Sequence, residues 1–151
     1  MIQVYADTSV FGGCFDDEFE EWSNKLMGEF NLGLKAVVIS DLTLKELEGA
    51  PPYVRNLVGE IPEKHKEYVI LNGDAKVLAR HYIEDGAVNE RYLVDAQHIA
   101  IATINRVDVL VSWNFRHIVN LSRIRLYNSV NLKYGYPLLE IRSPREVLDE
   151  K

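Results

Sequence analysis

Short apolar, β-branched runs alternate with amphipathic stretches along the whole chain, which predicts an α/β domain with a mostly parallel sheet and helices on both faces. Three observations carry this expectation. The strand candidates Ile2–Ala6, Ala36–Ile39, Tyr68–Leu71, Val107–Trp113 and Leu138–Ile141 are mostly unbroken apolar runs. Strands covered on both faces have that composition, whereas half-wetted ones alternate. The segments between them carry apolar residues at helical spacing. A length of 151 residues at 47% hydrophobic supports one substantial core. With no internal repeat, low-complexity tract or linker, residues 1–151 read as a single domain.

The elements follow in order. Ile2–Ala6 opens the sheet, and Glu18–Asn31 reads as a helix because Phe19, Trp22, Leu26, Met27 and Phe30 fall on one side, with Gly33 as its stop. After Val37-Val38-Ile39, Ser40 or Asp41 can cap a helix carrying Glu46. Pro51-Pro52 ends that helix and begins Tyr53–Ile61, which Pro62 terminates. Asp74–Glu84 and Tyr92–Asn105 are the next two helices, divided by Gly86. Arg123–Lys133 is helical in spacing, although Asn128 and Asn131 are poor helix formers.

Composition excludes several classes. No apolar run approaches the roughly 20 residues needed to cross a bilayer, and the N-terminus lacks the basic and long apolar regions of a signal peptide. A cytoplasmic setting is expected, without membrane contact. Cys14 is the only cysteine, so no internal disulfide forms and the thiol reads as a small apolar residue. The formal net charge of −6 argues against a protein that coats nucleic acid by charge alone. It is compatible with a nuclease whose carboxylates act through a metal, and it favours a basic partner.

Four side chains stand where such a site would need them. Asp7 directly follows the first strand, Glu46 lies on the helix after the second, Asp95 opens the helix Asp95-Ala96-Gln97-His98-Ile99-Ala100-Ile101-Ala102, and Asn114 follows Val109-Leu110-Val111-Ser112-Trp113. The C-terminal edge of an open α/β sheet is where ligands bind. Converging carboxylates repel, by about 4 kcal/mol for a pair roughly 4 Å apart at an effective dielectric near 20. Relief comes from protonation or a bound cation. Oxygen ligands without a cysteine or histidine cluster suit Mg²⁺ or Mn²⁺, and such an ion supports phosphodiester hydrolysis.

Asp7-Thr8-Ser9, Leu44-Lys45-Glu46-Leu47, Asp95-Ala96-Gln97-His98-Ile99-Ala100-Ile101-Ala102 and Leu110-Val111-Ser112-Trp113-Asn114, in that order, resemble the successive signatures of a PIN domain. The order and spacing are similar to the VapC-like branch, the toxin ribonucleases of toxin–antitoxin pairs, and Pro137–Pro144 resembles that branch's last strand. The resemblance spans nearly the whole chain. It implies a Rossmann-like parallel sheet and a Mg²⁺- or Mn²⁺-dependent endoribonuclease. Asp7, Glu46 and Asp95 would be metal ligands, supported by the hydroxyl of Thr8 or Ser9. It further implies an RNA substrate, a homodimer and an inhibiting antitoxin. Asn114 departs from the pattern, in which an aspartate is common. Its amide oxygen can coordinate but brings no charge, which suits one metal better than two.

Other residues invite second readings. Glu48 points about 200° away from Glu46 on a helix and reads as solvated. His98, one turn after Asp95, faces the site or is a hydrogen-bonded core histidine. His117 can orient a phosphate, Trp113 reads as core, and Arg116, Arg123 and Arg125 form a local basic cluster or an exposed helix face. The alternative to a nuclease is a catalytically weak PIN-like module that binds RNA or protein. A metal-free ribonuclease with paired histidines is a third reading. An aspartyl phosphatase fits poorly, because no second aspartate lies two residues after Asp7.

Overall fold

The computed structural model describes residues 1–149. Its strands are β1 (Ile2–Ala6), β2 (Lys35–Ser40), β3 (Lys66–Val69), β4 (Val109–Val111) and β5 (Ile141–Arg142). They form one sheet in the order β3-β2-β1-β4-β5, and every pairing is parallel. β1 is central, with Val4 opposite Val37 on one side and Val109 on the other.

The central position follows from burial on both faces, since Val4, Tyr5 and Ala6 are wholly inaccessible. Successive side chains point to opposite sides of a strand. Val4 and Ala6 therefore pack with Val37, Ile39 and Val111 beneath α1 (Thr8–Gly12), α2 (Glu20–Leu32), α3 (Asp41–Leu47) and α4 (Pro52–Glu60). Tyr5 points the other way, with Val38 and Leu110, into the core formed by α5 (Gly73–Glu84), α6 (Leu93–Ile104) and α7 (Leu121–Lys133). The expected two-faced α/β architecture is what the chain adopts.

Local signals explain most boundaries. Ser40 caps α3 by accepting from Thr43 N at 3.0 Å, while Asp41 instead accepts from Leu71 N at 2.9 Å and ties the exits of β2 and β3 together. Gly33 ends α2 at φ +76°, and a Cβ there would lie 2.6 Å from His65 Nε2. Both the left-handed backbone and the close histidine require glycine.

Three strands differ from the sequence expectation. β3 begins earlier, at Lys66, and is an edge strand whose Glu67 and Tyr68 are exposed, so it lacks the unbroken apolar run of a covered strand. The buried Lys66 side chain instead sends its Nζ to Val58 O at 3.0 Å. β4 is confined to Val109–Val111; just past its end Ser112 N still donates to Arg142 O at 3.2 Å, and the Trp113 N–H then turns to Ser9 Oγ at 2.9 Å. β5 starts at Ile141 rather than Leu138, which is 64% exposed. The approach to β5 is held by Asn128 on α7, whose Oδ1 accepts from Leu139 N at 2.7 Å and whose Nδ2 donates to Leu139 O at 3.1 Å. Asn128 thus secures an irregular segment, a role that outweighs its poor helix propensity. Asn128→Ala should lower stability by about 1–3 kcal/mol, since both Leu139 backbone groups lose their partner. Thermal unfolding followed by circular dichroism should show a midpoint lower by roughly 3–10 °C.

Candidate active site

The strand order reverses direction between β1 and β4, because the chain moves from β1 outward through β2 and β3 before crossing to β4 and β5. Loops leaving neighbouring strands at such a point diverge and open a crevice at the C-terminal edge. Asp7 stands there as the N-cap of α1, and Ser112–Asn114 leaves β4 beside it. Glu46 reaches in from α3 and Asp95 from the first turn of α6.

Asp7 is 5% exposed and fully engaged. Its Oδ1 accepts from Ser9 N at 3.1 Å and from Ser9 Oγ at 2.6 Å, and its Oδ2 accepts from Ser112 Oγ at 2.6 Å. The same two serines continue the network: Trp113 N donates to Ser9 Oγ at 2.9 Å, and Asn114 N donates to Ser112 Oγ at 3.0 Å. Burial pushes the Asp7 carboxyl above the ordinary range against these donors and the nearby His98, and the charge of Glu46 pushes it further. Burial raises Asp95 as well, with the charge of Asp7 adding to it. The carboxylates therefore feel one another.

Glu46 behaves oppositely. Burial alone would raise it, but hydrogen bonds from His98 Nε2 at 2.6 Å and Thr8 Oγ1 at 2.8 Å hold its carboxyl below the ordinary range. His98 is buried and uses both ring nitrogens, since Nδ1 lies 2.6 Å from Tyr5 Oη. The Tyr5 hydroxyl in turn lies 2.7 Å from Ser40 Oγ. His98 is thus a hydrogen-bonded core residue that grips Glu46, and it presents no free nitrogen to a substrate. His117 stacks on Tyr92 with ring centroids 3.6 Å apart, its Nδ1 is buried without a partner, and burial lowers its pKa. Among the described residues His98 and His117 are thus engaged separately, one with Tyr5 and Glu46 and the other against Tyr92, which does not favour a metal-free mechanism built on that pair.

Asn114 has a different part from that of a metal ligand through its oxygen. Oδ1 accepts from Arg116 N at 3.2 Å and His117 N at 3.0 Å, so it caps the turn that follows. Those two donors fix which atom is oxygen, and Nδ2 therefore faces Asp95 Oδ2 at 3.3 Å. The amide is a donor to the acidic cluster. Of the three basic residues, Arg123 is drawn to Ala87 O at 2.9 Å, whereas Arg116 and Arg125 are exposed.

Among the described residues, no three His, Cys, Asp or Glu side chains form a ready-made metal cage. The donor chemistry nonetheless fits one hard divalent cation. Asp95 Oδ1 and Glu46 Oε2 accept no hydrogen bond among the described residues, and Asp7 Oδ2 takes only one. Two raised, mutually repelling carboxyls are also what a cation relieves. Sequence reasoning placed the four residues at this edge and named Thr8 and Ser9 as supports. It missed Ser112, Tyr5 and Ser40, whose types are common in ordinary strands and carried no distinguishing signal.

No family model matches the chain, and no curated protein matches it by sequence. A solved structure does: Mycobacterium tuberculosis VapC20, described as a sarcin-ricin loop cleaving toxin, aligns with a TM-score of 0.57 over 76% of this chain and 92% of that one. The fold is PIN-like. Identity over the alignment is 15%, so the likeness rests on shape and topology.

The electrostatics make stability pH-dependent. Asp7 and Asp95 have native pKa values above the reference value of 3.8, so between these limits the native state binds more protons than the unfolded one. Their contribution to stability therefore grows as pH falls from neutral toward about 4. Glu46, lowered from 4.5, stabilises above that value and loses its contribution as pH falls through the lower native one. In EDTA, the gain in thermal midpoint between about pH 7 and about pH 5 should be smaller in Asp7→Asn than in wild type. A gain in Asp7→Asn equal to or larger than that of wild type would show that the raised Asp7 carboxyl does not contribute to this pH dependence.

Proposed function

We propose that this protein is a Mg²⁺- or Mn²⁺-dependent endoribonuclease of the VapC type, acting in the cytoplasm and inhibited by a cognate antitoxin. The observation that carries this reading is the pair of carboxyls at Asp7 and Asp95, raised by burial at the topological reversal, with Glu46 alongside. The similarity to a toxin described as cleaving the sarcin-ricin loop supports RNA as the substrate class. Asp7, Asp95 and Glu46 would hold the ion. When bound, it would activate water and offset negative charge developing on the phosphate.

The chain's own residues prepare that chemistry. Ser9 and Ser112 orient Asp7, and Asn114 orients Asp95. His98 and Thr8 hold one oxygen of Glu46 and leave the other free of hydrogen bonds. Such fixed orientation removes part of the reorganisation that would otherwise accompany reaction. An antitoxin fits as partner because the chain carries a net charge of −6 and the acidic crevice focuses a negative field that attracts basic groups. Self-association into a homodimer belongs to the same proposal.

Cleavage of single-stranded RNA by purified protein should require Mg²⁺ or Mn²⁺ and cease in EDTA. Activity that persists unchanged in excess chelator would exclude the metal mechanism.

Asn114 favours one second reading, a catalytically weak module, because it adds no charge where a further carboxylate would help bind metal. Asn114→Asp would set a carboxylate near Asp95, replacing a contact of 3.3 Å that is now attractive. The repulsion, on the order of 4 kcal/mol at about 4 Å, should lower the thermal midpoint in EDTA and enlarge the stabilisation produced by Mn²⁺. Cleavage that appears only in this variant would establish the weak-module reading. Metal-dependent cleavage already present in wild type would exclude it.

A further inference from the structure

Beside the carboxylates lies an aromatic cluster that the proposed metal chemistry leaves unused. Phe19 and Trp113 stack with centroids 4.2 Å apart and planes 14° apart. Phe115 sets its ring 6.0 Å from Trp113 and 6.2 Å from Phe19, and it remains 48% exposed. Phe19 and Trp113 line a cavity of about 350 Å³ whose other walls include Ser9, Gly13, Asp16 and Asn114. Two of these, Ser9 and Asn114, are the residues that hold Asp7 and Asp95.

The platform is built with some rigidity. Trp113 Nε1 donates to Ser23 Oγ at 2.8 Å, and its backbone N–H donates to Ser9 Oγ at 2.9 Å. Gly13 makes room for the indole, since a Cβ there would lie 2.6 Å from Trp113 Nε1. One exposed phenylalanine means little, because large apolar side chains are often exposed singly. Here an exposed ring packs against the two stacked rings that wall the cavity, and it follows Asn114, another wall residue, directly in the chain.

We propose that this cavity and the Phe115 ring form a subsite for one unpaired nucleobase of an RNA strand whose phosphate lies at the carboxylates. The inference rests on the ribonuclease reading and adds where the strand is gripped. Aromatic rings receive unstacked bases of single-stranded RNA irrespective of sequence. Charge selects the base over the phosphate as occupant. Asp16 on the cavity wall repels a phosphate and can accept from a base amino group, while the exposed Arg116 next to Phe115 suits the adjoining backbone.

The test uses the full chain with Asp95→Asn as a background that keeps RNA intact, and a short single-stranded RNA as probe, compared with the same strand carrying abasic sites. Phe115→Leu should weaken binding of the intact strand between about fivefold and about a hundredfold, matching one base–aromatic stack. Phe115→Trp should restore it. The abasic strand should bind weakly to all three proteins, and the thermal midpoint of Phe115→Leu should stay close to its parent because about half of Phe115 is exposed and leucine keeps an apolar side chain against the other rings. In the otherwise wild-type enzyme, Phe115→Leu should raise KM more than it lowers kcat. Equal binding of the intact strand by Phe115→Leu and its parent, or equal binding of intact and abasic strands, would overturn the subsite and leave the nuclease reading standing. If the wild-type chain neither binds nor cleaves the RNA, the nuclease reading itself fails, and the subsite with it.

Discussion

Burying a carboxyl group at the end of the central strand is the constraint from which the rest of the site follows. Asp7 cannot be withdrawn from water without donors to replace its hydration, since an uncompensated buried charge costs several kcal/mol. Ser9 and Ser112 supply them, one from α1 and one from the exit of β4. Each serine then accepts a backbone N–H from the segment after β4, at Trp113 and Asn114. A single acidic side chain thereby fixes the paths of two chain segments that are remote in sequence. β4 ends in the same network, because the Trp113 N–H is given to Ser9 Oγ.

A second network sets Glu46 and depends on the alternation of β1. Tyr5 points to the opposite face from Val4 and Ala6, so its phenol reaches Ser40 and His98 on the α6 side. Burial raises the phenol pKa, which keeps the hydroxyl protonated and able to donate. An ionised Glu46 only accepts, so His98 Nε2 donates to it, while His98 Nδ1 lies against the Tyr5 hydroxyl. Two neighbouring carboxyl groups thus have opposite tendencies: burial outweighs the donors of Asp7 and drives it toward protonation, whereas the hydrogen bonds from His98 and Thr8 outweigh the lesser burial of Glu46 and favour its charge. That separation of environments is how one cleft can hold groups with distinct roles.

Much of this was legible in the sequence, and the remainder has definable causes. Covered strands read clearly, as β1 and β2 did, because burial on both faces leaves an unbroken apolar run. β3 was misplaced by two residues, since this edge strand exposes Glu67 and Tyr68 and begins at Lys66, a charged residue whose buried Nζ is satisfied by Val58 O. Asp7, Glu46, Asp95 and Asn114 were recognisable from their positions after strands and at a helix start. The direction of the Asn114 amide was not, because it depends on backbone N–H groups of residues 116 and 117 that only the folded turn presents. The Tyr5–His98–Glu46 chain joins three separate segments, and no local spacing announces such a contact. Phe115 likewise gains meaning only from its neighbours Phe19 and Trp113.

The parallel sheet also orders events during synthesis. β1 is made first, yet its partner on one side is β4, with Val4 paired to Val109, and Asp7 waits for Ser112. Until that late segment has left the ribosome, the opening residues can form the β1–β2 ladder but cannot assemble the acidic crevice. A nascent chain is therefore without its site for most of translation, and a truncated product ending before β4 would carry Asp7, Glu46 and Asp95 with nothing to hold Asp7 in place. Copies that stop short of β4 lack the contact between Ser112 and Asp7.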